Sequence, residues 1–169
     1  MNADVKQVDS FRFVPMMTKK LMQAWYPKEP VQEIPWTPLA KPLEECRIAL
    51  ISSAGLATTG GLPFDQQGER DKPWWGDPGF RRIPRDTQQV RSYHLHINTR
   101  YAEEDLNSVL PLHRLAELEA EGAIGAAAET HYSFMGYLPD AGEFLERTVP
   151  QIIASLRDER VDIVLLVPV

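Results

Sequence analysis

The sequence predicts an α/β protein built on an open, mostly parallel sheet, and three observations carry that reading. Residues 161–169 hold seven aliphatic side chains in nine without polar alternation, the pattern of a strand covered on both faces. Arg47-Ile48-Ala49-Leu50-Ile51-Ser52 is a second such run, closing in the small residues Ser53-Ala54-Gly55. Between them helix-like and strand-like patterns alternate, and the last helix leads straight into the last strand. Together they point to a sheet of the Rossmann-like type, incomplete at the C-terminus, because a doubly covered strand needs helices on its faces and neighbours at its edges.

A length of 169 residues, 43% hydrophobic and 25% charged, suits one ordinary globular domain. The formal net charge of -6 argues against nucleic-acid and anionic-membrane partners, both of which need a basic face. No basic-then-apolar leader opens the chain and no run approaches the roughly 20 apolar residues of a membrane span, so a cytoplasmic location is expected. The single cysteine, Cys46, excludes an internal disulfide framework and a cysteine-rich zinc site.

Residues 1–45 read as an extension and 46–169 as the α/β domain. Phe11, Val14, Met17, Leu21, Met22 and Trp25 recur at helical spacing, with Pro15 in the first turn, where no amide donor is needed. Met16, Met17 and Met22 are either packing filler or the lining of a pocket. Pro27, Pro30, Pro35, Pro38 and Pro42 exclude a helix and predict an extended arm, which Trp36 pins to its own domain or offers to a partner.

Cys46, just before the first core strand, reads as an inert packing residue. Beyond that strand, Thr59, Gly60 and Gly61 make a flexible turn at the carboxyl edge of the sheet, either a plain turn or a set of amides facing an anion. Residues 62–89 form a long, breaker-rich loop of the kind that serves as a lid or binding loop. Within it, two tight turns display Arg81 and Arg85, each of which either clamps a carboxylate or pairs with a nearby Asp.

Residues 91–97 are expected to be a strand with Tyr93, Leu95 and Ile97 on one face and His94 and His96 on the other. The two histidines make a hydrogen-bonded polar face or share one metal, with Asp105, His113 or His131 completing the set. Asn98-Thr99 caps a helix over 101–109; Pro111 restarts it and Gly122 ends it. Residues 124–134 read as a half-buried strand with Glu129, His131 and Ser133 on its polar face, where His131 is available as an acid or base. Asp140 and Glu143 form a capping box for a final helix that kinks at Pro150.

The run Gly76-Asp77-Pro78-x-Phe80-Arg81-x-Ile83-Pro84-Arg85-Asp86, then His94-Leu95-His96-x-x-Thr99, Asp105-Leu106-Asn107 and Ser133-Phe134-Met135-Gly136-Tyr137, resembles the glycine/sarcosine/betaine reductase selenoprotein B family over residues 47–169. The resemblance implies an oxidoreductase in which a selenol or thiol attacks the carbon beside a carboxylate and a carbon–nitrogen or other carbon–heteroatom bond is cleaved reductively. It also implies that selenocysteine or cysteine lies beyond Val169, so that this chain is the N-terminal part of a longer family domain, its stop marking a UGA codon. Electrons would come from a dithiol or thioredoxin-like donor, and the substrate would be a small amine or amino-acid-like molecule. On the matching positions, Arg81 or Arg85 would hold a carboxylate; Thr99 and, from the turn chemistry above, Thr59, Gly60 and Gly61 are the further candidate substrate contacts. His94, His96 and Asp105 would orient the amine leaving group or donate its proton; His131, from the strand reading above, is the further candidate acid or base. Two other readings stand beside this one: a non-catalytic module that binds an amine or amino acid, and a metal-dependent enzyme centred on His94 and His96. A homo-oligomer or a protein electron donor is the expected macromolecular partner.

Overall fold

The computed structural model describes residues 14–25, 37–72 and 74–169, and the chain divides into two compact units, Met1–Pro38 and Leu39–Val169. In the first, helix α1 (Met16–Trp25) follows Pro15, whose carbonyl accepts from Lys19 N at 2.9 Å. Phe11 and the expected arm from Pro27 to Trp36 lie outside the described residues.

The second unit is an α/β structure around a mixed, mostly parallel sheet, as its class predicts. Strand β1 (Arg47–Ser52) is buried from Ile48 onward. Parallel to it on one side run β5 (Ala126–Ala127) and β6 (Thr130–Phe134), and on the other β7 (Ile163–Val167). Beyond β6, β3 (Phe80–Pro84) pairs antiparallel, from Phe80↔Phe134 to Pro84↔Thr130. Alternation along β1 sends Ile48 and Leu50 into one core with Leu110, Leu112 and Leu115, while Ile51 meets Tyr132 and Ile152 in the other. Helix α4 (Leu112–Ala120) supplies the first layer and α5 (Val149–Asp158) the second.

A two-stranded ribbon, β2 (Leu56–Thr58) and β4 (Val90–Ser92), is tied to the carboxyl end of β1 by buried hydroxyls. Ser133 Oγ donates to Ser52 O at 3.1 Å and accepts from Leu56 N at 2.8 Å, and Ser92 Oγ donates to Ala54 O at 2.8 Å. Each such buried bond is worth on the order of 1 kcal/mol net, and leaving its partner unpaired costs more.

Several expectations are corrected. The terminal strand is an edge rather than a doubly covered centre: Val164, Leu165 and Leu166 are 36%, 50% and 66% exposed. Among the described residues β7 pairs with β1 alone, so hydropathy recorded a capacity for burial that the neighbours present do not use. The long loop at 62–89 contains α2 (Gln66–Asp71), capped by Asp65 Oδ1 accepting from Gly68 N at 2.8 Å, and β3, whose pairing partner is remote in sequence. Strand β4 ends at Ser92, so 93–97 is a turn. Helix α3 (Arg100–Glu104) stops at Asp105, which is extended and caps a new 3₁₀ turn, Leu106–Ser108. The strand expected over 124–134 is broken between β5 and β6, and of its supposed polar face Glu129 is exposed while His131 and Ser133 are buried. A wide π turn, Phe144–Thr148, precedes α5 where Pro150 can donate no amide hydrogen.

Candidate functional site

Where β4 leaves the ribbon, Tyr93 N donates to Gly55 O at 2.9 Å and delivers His94 to the carboxyl edge of the parallel strands. Gly55 allows this with a φ of +61°, and a side chain there would strike the Met135 thioether. His94 Nδ1 accepts from His96 N at 3.1 Å, so the neutral ring carries its proton on Nε2. Burial, then the neighbouring His96, pushes the His94 pKa down, which keeps that ring neutral. Its Nε2 lies 3.1 Å from where a Cβ on Gly136 would stand, and Ser53 O lies 2.8 Å from the same point. Gly136 is thus the gap through which His94 reaches the end of β1.

His96 is set by three contacts. Its ring meets His94 edge-on at 5.9 Å and lies over Tyr137 at 4.1 Å and 32°. Its Nε2 lies 2.8 Å from Glu69 Oε1. The imidazole is 50% exposed while the Glu69 side chain is 4% exposed. Glu69 Oε2 is buried without a hydrogen-bond partner among the described residues. Sequence reasoning missed Glu69 because 62–89 read as loop. The signal was Asp65 acting as an N-cap, which places Gln66 and Glu69 on one helix face. Gln66 duly donates to Tyr93 O at 2.8 Å, on the segment that carries the histidines.

Of the other expected site residues, Thr99 lines a polar cleft of about 320 Å³ with Gln66, Arg91, Tyr93, His94 and Glu103. Thr59, Gly60 and Gly61 turn the chain after β2, with Gly61 N donating to Thr58 O at 2.8 Å. The ribbon pairs Leu56 with Ser92 and Thr58 with Val90, so this turn sits at the opposite end from His94. Gly61 and Arg81 border a separate cleft with Thr58, Phe80 and Gln151. The Arg81 guanidinium donates to Leu62 O at 2.8 Å, Pro63 O at 2.6 Å, Phe80 O at 3.0 Å and Asp77 at 3.2 Å. It also lies 4.0 Å over the Phe64 ring. Arg85 pairs with Glu119 and, at 3.2 Å, with Glu129.

Asp105 Oδ1 accepts from Asn107 N at 2.9 Å and from Asn107 Nδ2 at 3.0 Å, bonds that lower its pKa. His131 works inside the sheet. Its Nδ1 accepts from Leu50 N at 2.9 Å beside the β5–β6 break, and burial pushes its pKa down to about 4. Among the described residues no group of three or more His, Cys, Asp or Glu side chains could hold a metal ion. No helix among them is long and apolar enough to cross a membrane.

Fold and site define an α/β protein with paired histidines at the carboxyl edge of a parallel sheet. A family model described as glycine/sarcosine/betaine reductase selenoprotein B matches residues 1–169, and the chain belongs to that family. It is 32% identical over 133 residues to the D-proline reductase subunit gamma of Acetoanaerobium sticklandii, covering 78% of this chain and 52% of that protein. It is 29% identical over 134 residues to the glycine reductase complex component B subunit gamma of Symbiobacterium thermophilum, covering 75% of this chain and 30% of that protein. The chain therefore spans about half or less of the length of these relatives. No solved structure matches it.

Proposed function

We propose that this chain supplies the substrate-holding and proton-handling part of a selenol- or thiol-dependent reductase that cleaves the carbon–nitrogen bond of an amine or amino-acid-like substrate. One observation carries the reading: Ser53 is bonded to the end of β7 and lies, like His94, beside Gly136. Its Oγ accepts from Val169 N at 2.9 Å, while its carbonyl borders Gly136, which His94 Nε2 approaches. Polypeptide continuing from Val169 would start beside Ser53, on the Gly136 side where His94 lies. Selenocysteine or cysteine carried there would supply the nucleophile for the carbon bearing the nitrogen, with two electrons coming from a dithiol or thioredoxin-like donor. The neutral His94 donates its Nε2 hydrogen to a substrate acceptor, and His96 handles the proton of the departing nitrogen. The names of the relatives, reductases of D-proline and glycine, support this class of reaction.

The test joins the chain to the sequence encoded directly downstream and follows carbon–nitrogen cleavage of D-proline, glycine, sarcosine and betaine with a dithiol. Turnover that falls roughly 100-fold in His94→Gln or His96→Gln supports the assignment. No cleavage of any substrate, or cleavage indifferent to both substitutions, overturns it.

The polar cleft favours a second reading, a non-catalytic module for a zwitterionic amino acid. Arg91 and Glu103 both line it, and neither has an ion-pair partner among the described residues. Calorimetric amino-acid binding that is lost in Arg91→Gln, without turnover in the extended chain, selects this reading.

A further inference from the structure

We infer that Glu69 is a positioning residue, whose buried carboxylate holds the Nε2 hydrogen of His96 and so presents the Nδ1 lone pair at the site as the atom that takes and returns a proton. For the reaction this rests on the function proposed above; for the geometry it stands alone. A carboxylate can only accept, so in the 2.8 Å contact the hydrogen belongs to His96 Nε2. In the neutral ring that leaves Nδ1 unprotonated. Tyr137, 4.1 Å away, fixes the plane of the ring, and the Glu69 contact selects which edge of the ring turns toward the carboxylate.

The second oxygen of Glu69 marks this as more than a surface ion pair. A solvated carboxylate spreads its charge over many water hydrogens, whereas this side chain is 4% exposed and its Oε2 has no partner among the described residues. Among the described residues the Oε1 contact with His96 is the one hydrogen bond the carboxylate makes, so that ring N–H is the donor that faces its charge. A buried acid that orients an imidazole from behind while the other nitrogen faces the reacting group is the arrangement that makes histidine an effective proton carrier. Beside it, His94 presents an N–H rather than a lone pair, since its Nδ1 is occupied by His96 N. The adjacent rings therefore offer complementary groups, a donor at His94 Nε2 and an acceptor at His96 Nδ1.

The experiment uses the 169-residue chain with ¹⁵N-labelled histidine and observes the imidazole N–H protons. Wild type should show a downfield His96 Nε2–H resonance protected from water exchange, with its ¹⁵N connectivity marking Nδ1 as unprotonated. Glu69→Gln, which keeps an acceptor but removes the charge, should retain the resonance at higher field. Glu69→Leu should lose it while circular dichroism stays native, and His96→Gln confirms the assignment. A protonated Nδ1 in wild type, or an unchanged signal in a folded Glu69→Leu chain, overturns the inference. Should Glu69→Leu fail to fold, the Glu69→Gln shift decides, and no shift refutes the charge-assisted bond. In the extended chain Glu69→Gln should lower kcat between roughly 10- and 100-fold with KM little changed. Absence of wild-type turnover refutes the reductase reading but leaves the resonance test standing, so the two failures are distinguishable.

Discussion

Acid should destabilise this fold, and His131 should contribute a separable share of the loss. His131 Nδ1 accepts from Leu50 N in the middle of the sheet, and burial pushes its pKa from the usual 6.5 down to about 4. Between those values the unfolded chain binds the proton and the native chain does not, so stability rises with pH across the window and is lost as pH falls through it. Each pKa unit is worth about 1.4 kcal/mol, which makes the loss from pH 7 to pH 4 about 3 kcal/mol from this residue alone. His94, also lowered, adds a loss of the same sign. Carboxylates such as Asp105 and Asp162, held below their usual range, likewise lose stabilising bonds in acid. A difference measurement isolates His131. His131→Asn places an amide oxygen near the old Nδ1, keeps an acceptor for Leu50 N and does not titrate. His131→Phe removes the acceptor and should cost about 1–3 kcal/mol at neutral pH by orphaning that buried amide. Urea unfolding followed by far-ultraviolet circular dichroism from pH 7 to pH 4 should show the wild type losing about 3 kcal/mol more than His131→Asn. A difference between the two that is flat with pH refutes the assignment of His131 as a neutral acceptor in the sheet.

Gly136→Ala should destabilise by about 1–3 kcal/mol, because the new methyl would meet Ser53 O at 2.8 Å and His94 Nε2 at 3.1 Å. The same substitution should shift the His94 ring resonances, and unchanged resonances would contradict the close approach. Leu50→Ala, in the fully buried centre of β1, should cost about 2–5 kcal/mol in urea unfolding. Leu166→Ala, on the 66% exposed edge strand, should cost under about 1 kcal/mol in this chain, and equal losses at the two positions would argue that β7 is covered in solution. Asp105→Ala removes the cap of the 3₁₀ turn at Leu106–Ser108 and should cost about 0.5–2 kcal/mol, read from the same unfolding curves.

The two aliphatic runs, the α/β class, the mostly parallel sheet and the α4 boundaries at Pro111 and Gly122 were legible from hydrophobic pattern and backbone chemistry. These are local properties: a glycine at φ +71° or a proline before a helix acts within a few residues of itself. The pairing of His94 and His96 was visible too, although on a turn rather than the expected strand face. Strand β3 was not visible, because its pairing with β6 links residues about fifty apart and its own residues carry the breaker Pro84.

The sequence by itself determined which segments are apolar enough for a core and which residues can exchange protons. Tertiary structure decided which of those residues meet. It placed Arg81 on backbone carbonyls, gave His131 to the Leu50 amide and put Glu69 behind His96. It also paired β7 with β1 alone among the described residues and bonded Val169 to Ser53, which like His94 lies beside Gly136. The reason is physical: composition and spacing fix what each side chain is able to bond, but partners are chosen by strand order and register, which bring together groups far apart along the chain.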